Sequence, residues 1–263
     1  MKRTEPALKL ERSPLILVLS QIRFSPVLKM ADFVPNIQEK MRQDGLVRFN
    51  QEETQQIVFG PAVKTIQSTR WVFGNREQNE SVILTSDFFV YQVSCYDVFE
   101  TYLERLLLLF DHVRNHAGLS FSAQIGLRYI DLVRPGGSHS VDDFIAPSLR
   151  GLSASKLGVK SANHQFAIQS QTEIGTLFLR SYENTGEQFL PPDLQTQHLK
   201  FPAPTTADEE FRILDFDHIC KEEVDFDGDG LSDRLWELHQ ATKKAFKAAT
   251  TSDAMTYWKG DNA

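Results

Sequence analysis

Cysteine is nearly missing from this chain of 263 residues: Cys95 and Cys220 are all it has. Two thiols are too few for a disulfide framework, so a reducing cytoplasm is the expected compartment, with both thiols read as buried and free. Long apolar runs are missing too. The longest near the start, "LILVL" at Leu15 to Leu19, falls far short of the ~20 residues that span a bilayer, and no small-residue cleavage site follows it. Neither membrane insertion nor secretion is expected. Catalytic signatures are scarce as well: there is no "GxSxG", no phosphate-cradling glycine loop and no cysteine at a helix start. An excess of basic residues, the footprint of a nucleic-acid binder, is likewise lacking, since the net charge is −7.

What is there is 41% hydrophobic residues, enough for one large core or two fused smaller ones. The acidity is concentrated. From Asp208 to Asp233 eleven acids meet only Arg212 and Lys221, so that segment carries −9 and the rest about +2. Such a face repels nucleic acid and suits a cation or a basic protein partner. Within it, "DFDGDGLSD" places Asp225, Asp227, Asp229 and Asp233 at positions one, three, five and nine of a calcium-type loop, with Gly230 at six. The glutamate required at position twelve is replaced by Trp236, and Glu237 comes one residue late. The first reading is therefore a polar way into a helix, with Asp229, Ser232 or Asp233 as its cap, and the second a calcium or magnesium site.

Hydrophobic period divides the chain further. Leu15 to Phe24 reads as a central strand covered on both faces, and Asp32 to Asp44 as an amphipathic helix capped by Asp32. Four strand-like runs follow: "QQIVFG", "VKTIQSTRWVFGN", "SVILTSD" and "FFVYQVSC", the first two parted at Gly60-Pro61. Asp97 and Glu100 then have the spacing of a capping box before a long helix whose buried stripe is Phe99, Leu103, Leu106, Phe110 and Val113.

After Gly118 the pattern restarts. Gln21 to Leu46 aligns almost without a gap on Gly126 to Leu152, with Arg23 falling on Arg128 and a helix expected after each strand. Strands "HQFAIQSQT", "GTLFLRSYE" and "FRILDFDHIC" come next, then a helix carrying Leu235, His239, Thr242, Phe246 and Ala249 on one face, and a short segment that docks Trp258. The expected fold class is α+β, an internal duplication of a strand-helix-(about four strands)-helix unit. Two curved antiparallel sheets would each pack a long helix about a pseudo-twofold axis. The expected halves are 1–118 and 119–263, fused in one compact unit, and the second holds a proline-rich loop, 185–210, of a length that is either functional or mobile.

The stretches "LILVLSQIRFSPVL", "RWVFGN", "SVILTSDFFVYQVSCYDVFETYLERL", "QIGLRYIDLV" and "LWELHQATKKAFKAATTSDAMTYWKG" together resemble a sporadically distributed bacterial family of uncharacterised proteins of about 250 residues. The resemblance runs from Pro14 to Gly260 and brings no settled activity, cofactor or catalytic residue. Its patchy occurrence implies accessory genes, such as those of bacterial defence or toxin-antitoxin loci. The duplicated unit also resembles the saddle fold of the TATA-binding protein, in topology only, because the basic DNA-facing composition is lacking.

Arg23, Arg128 and Asp131 are the candidate ligand-binding residues; each arginine is a cation in an otherwise apolar strand, with Asp131 and Asp87 as candidate carboxylate partners. Equivalent places near the axis would let the two arginines meet at a cleft between the halves. Asp215 and Asp217 share a strand face. His112 and His116 have i,i+4 spacing but read as helix-end imidazoles rather than chelators. The resulting expectation is a non-enzymatic cytoplasmic recognition protein, antitoxin-like, without a cofactor, that binds a partner protein or a small ligand. The alternative is a divalent-cation-dependent hydrolase or nucleotide-processing enzyme built on Arg23, Arg128, Asp215 and Asp217.

Overall fold

The run Leu15–Arg23 opens with five apolar residues in succession, so as a strand it must be covered on both faces and both edges. It is. In the computed structural model, which describes residues 9–58, 64–152, 154–160, 163–194, 198–201 and 205–260, this strand, β1, lies at the middle of a nine-stranded antiparallel sheet. Its neighbours are β5 (Phe88–Val93) and β7 (Gln124–Val133). Beyond β5 come β4 (Glu80–Leu84), β3 (Lys64–Gly74) and the edge strand β2 (Arg48–Val58). Beyond β7 come β10 (Glu210–Cys220), β9 (Gly175–Thr185) and the edge strand β8 (Gln165–Thr172). A two-stranded ribbon joins β6 (Phe121–Ser122) to β11 (Val224–Asp225).

The α+β class is as expected, but one sheet replaces the two expected sheets, because β1 and β7 hydrogen-bond to each other along most of their length. Strand β2 begins at Arg48, well before "QQIVFG", since its polar residues pair with β3 from Gly74 back to Lys64. The expected Gly60-Pro61 break lies outside the described residues.

The helices lie on one face. The stripe of α2 (Phe99–Ala117) buries Phe99, Tyr102, Leu103, Leu106, Leu109, Phe110 and Val113, and Gly118 ends it in the left-handed region at φ 65°. The last long helix, α5 (Gly230–Ala249), buries Leu231, Leu235, Leu238, Thr242, Phe246 and Ala249 against β7 and β10. A short α6 (Ser252–Lys259) is capped by Thr251 and packs Trp258, 3% exposed, into the core as expected. Helix α1 (Met30–Gln43) starts two residues early, leaving Asp32 in its first turn rather than at its cap. Asp97 does not cap α2 either. Val98 holds that position, and the Asp97 carboxylate is drawn to Lys9 at 2.8 Å.

After β7 the expected helix is broken into α3 (Val141–Phe144), a 3-10 turn at Pro147–Leu149, and α4 (Ala154–Leu157). Pro147 lacks the N–H that a continuing helix needs, and Gly151 turns the chain at φ 77°. The second half thus contributes β7, β8, β9 and β10 to the large sheet, with β8 to β10 following the broken helix.

The other face of the sheet has a smaller apolar cluster. Leu17, Ile130, Leu132, Phe211 and Ile213 pack there against Leu199, Phe189 and Phe201 of the long loop, so the loop is a partial cover. It is tied down by Ser94 Oγ donating to the Lys200 carbonyl at 2.6 Å and by the Lys200 N–H donating to the Gln78 carbonyl at 2.6 Å. Among the described residues no helix is long and apolar enough to cross a membrane.

Candidate functional site

Register decides which polar residues share the loop-covered face. Arg128 stands opposite Leu19 on one side and Asp217 on the other, with Asp215 two residues along β10. Its guanidinium donates from Nε and Nη2 to the two oxygens of Asp215, both at 2.8 Å, and from Nη1 and Nη2 to Asp193 of the long loop at 2.6 and 3.0 Å. Arg180 Nη1 adds a third bond to Asp215 at 2.9 Å. Burial alone would lower the Arg128 pKa, but Asp215 and then Asp193 reverse the effect and raise it, so the guanidinium stays charged. The same bonds hold the Asp193 carboxyl below its usual range. Asp217, facing this network at its margin, has its pKa raised, first by burial.

Arg23 lies on the same face but four residues along β7 from Arg128, opposite Gln124. The two arginines therefore do not meet. Arg23 donates from Nη2 to Asp87 at 2.6 Å, the partner expected for it, and its guanidinium lies over the Phe88 ring. Asp131, in contrast, is not a partner of Arg128. Three residues apart on one strand, their side chains leave opposite faces of the sheet.

The acidic loop is spread over the surface. Asp225, Asp227, Asp229 and Asp233 are all exposed. Asp227 accepts from Arg114 Nη2 at 2.5 Å, and Asp229 occupies the N-cap of α5 without a side-chain bond to the helix. Among the described residues no three His, Cys, Asp or Glu side chains are grouped to hold a metal ion. His112 pairs with Asp44, and His116 bonds the His112 carbonyl at 2.7 Å, so these two rings do not point at one centre. Of the thiols, Cys220 is buried, whereas Cys95 is exposed, contrary to expectation.

Asp131 opens instead onto the helix side, into a cavity of about 120 Å³ between β7, the start of α2 and the middle of α5. The walls are aromatic: Tyr96, Phe99, Tyr129, Trp236, His239 and Phe246. His239 stacks on Phe99 at 4.0 Å with 5° between the rings, and Nδ1 shares a 2.7 Å hydrogen bond with Tyr129 Oη. Burial, with Lys243 adding to it, lowers the His239 pKa to about 3, so the ring is neutral. Asp131 is 4% exposed and has no hydrogen bond or ion pair among the described residues. Burial alone raises its pKa to about 8. Lys9, Leu10 and Ser13, just before β1, and Leu15 at its start close a further side.

No family model matches this chain, and no curated protein matches it.

Two features escaped the sequence. Arg212 is wholly buried on the helix face, where it donates to the Leu149 carbonyl at 2.5 Å and pairs with Asp142 and Glu183, each at 3.3 Å. Its place in "EFRILDF", a cation among apolar residues, is the same signal that marked Arg23 and Arg128. The aromatic cavity has no local signal. Its walls come from five distant segments, around residues 9–15, 96–100, 129–131, 216 and 236–246.

Proposed function

We propose that this protein is a recognition protein for a small ligand, and that the ligand occupies the cavity between β7, α2 and α5. Asp131 supports this reading: a carboxyl group 4% exposed, unpartnered among the described residues, lining a half-open cavity rich in aromatic rings. Leaving a buried polar group unsatisfied costs about 1–3 kcal/mol, and a ligand that satisfies it recovers that cost. Concave, largely apolar spaces with a few polar groups are where proteins hold small molecules. The hydrolase alternative draws less support. Both Asp215 oxygens are already taken by Arg128 and Arg180, and Arg23 stands apart with Asp87.

The chain also reads as a duplicated unit. Its support is the pairing of β1 with β7: Gln21 and Gly126, aligned as equivalents in the sequence, are direct partners across the two strands. Strands β5 and β10 flank that pair on opposite sides. On this reading the cavity lies where the halves join, beside the helix of each. An accessory, antitoxin-like setting rests on the resemblance to the sporadically distributed bacterial family alone.

Crystals soaked with a library of small fragments test the site. Density for several fragments among Trp236, His239 and Asp131 is expected. Fragments found only on the loop-covered face, in the space lined by Arg128, Asp193 and Asp217, with the aromatic cavity empty in every soak, would overturn the reading.

A further inference from the structure

The chemistry of the cavity lining narrows the ligand class, on the reading that this cavity is the binding site. Of the charged groups on its walls, Lys9 and Asp97 neutralise each other at 2.8 Å, and Glu100 and Lys243 bring one charge of each sign. Tyr129 and Tyr96 are held neutral by burial, and His239 is neutral as well. Two cations and two other carboxylates thus balance, and an ionised Asp131 gives the described walls a net charge of −1. An anion placed here would meet the Asp131 carboxylate or force it to keep its proton. A purely apolar guest would leave both carboxyl oxygens unbonded. A cation with an N–H restores the missing bond and the missing charge together. The rings suit the same guest, because their faces are electron-rich and attract a cation within about 6 Å of the centroid.

We infer that the ligand is a small organic cation bearing at least one N–H, an ammonium or amidinium, with Asp131 as its counter-ion and Tyr96, Phe99, Tyr129 and Trp236 as its aromatic walls. An apolar cavity of about 150 Å³ accommodates a benzene ring. A guest of that order, its charged end towards β7 and its body between α2 and α5, matches the space.

Benzylammonium and its neutral isostere benzyl alcohol are the probes, titrated calorimetrically into the full chain and into Asp131→Asn. The wild-type protein is expected to bind benzylammonium at least tenfold more tightly than benzyl alcohol. Asp131→Asn, a near-isosteric change, is expected to abolish that preference while benzyl alcohol binds as before. If benzyl alcohol binds the wild type as tightly as benzylammonium, the cation assignment falls and the cavity reading stands. If neither binds, both fall. Benzylammonium binding that is undiminished in Asp131→Asn would remove Asp131 from the site and overturn the inference.

Discussion

Arg128 and Asp215 meet side by side on neighbouring strands, joined by two parallel N–H···O bonds of 2.8 Å, with Asp215 wholly buried. The pair is the floor of the loop-covered face, and Asp193 closes over it from the loop. Removing one partner of such a pair leaves an uncompensated buried charge. Asp215→Ala is expected to lower unfolding free energy by about 3–5 kcal/mol in urea titrations. Asp193, whose side chain is 63% exposed, contributes much less: Asp193→Ala is expected to cost under about 1 kcal/mol. Its larger effect falls on the loop, where proteases should cut between 186 and 209 faster than in the wild type while the sheet stays intact.

Arg212 should behave like Asp215 rather than like Asp193. Its guanidinium is fully buried between the β10 strand, the Leu149 carbonyl and two carboxylates. Arg212→Ala leaves the Leu149 carbonyl without its donor, takes one of two partners from Glu183, which keeps His164, and opens a void, so a loss of about 3 kcal/mol is expected by chemical denaturation. A cost below about 1 kcal/mol would mean the network contributes little.

The acidic loop makes a weaker demand. Asp227 is almost fully exposed in its pair with Arg114, so Asp227→Ala is expected to change stability by less than about 1 kcal/mol, and by less still at high salt. Millimolar calcium, magnesium or manganese is expected to leave the melting temperature unchanged. A calcium-dependent rise that Asp227→Ala abolishes would show a cation site on the loop.

Asp131 and His239 oppose each other in their effect on pH stability. The Asp131 pKa rises from 3.8 to about 8 on folding, so the native state holds the proton more tightly than the unfolded chain. Its stabilising contribution is complete below about pH 4 and is lost as pH rises through about 8. The His239 pKa falls from 6.5 to about 3, so that group destabilises the fold as pH drops below 6.5. Above pH 6.5 only the Asp131 effect survives of the two. Relative to Asp131→Asn, the wild type is therefore expected to lose on the order of 1–2 kcal/mol between pH 6.5 and 8, read from denaturation midpoints. Parallel curves for the two proteins would show that Asp131 titrates normally.

Much of this architecture is visible in residue order. The helical stripes of α2 and α5 and the double cover of β1 follow from period alone, as does the docking of Trp258 in kind. Caps were less legible, because Asp97 has a choice between its own helix and Lys9, and only tertiary contact decides it. Arg128 stands out as a cation in an apolar strand, but its partners depend on the β7–β10 register and on where a long loop returns. The period of two already separates Asp131 from Arg128, and that clue points to the helix side. What lies there does not follow from sequence. The rings of Tyr96, Tyr129 and His239 come together only after three distant segments have packed.

If Asp131 is the counter-ion of a bound cation, binding must be linked to its proton. With its pKa near 8 the free carboxyl is mostly protonated at pH 7, and a bound ammonium must drive that proton off. Benzylammonium binding, measured by calorimetry at pH 7 in buffers of different ionisation enthalpy, is predicted to release close to one proton per site in the wild type and none in Asp131→Asn. Binding heats that do not depend on the buffer in the wild type would rule out Asp131 as the counter-ion.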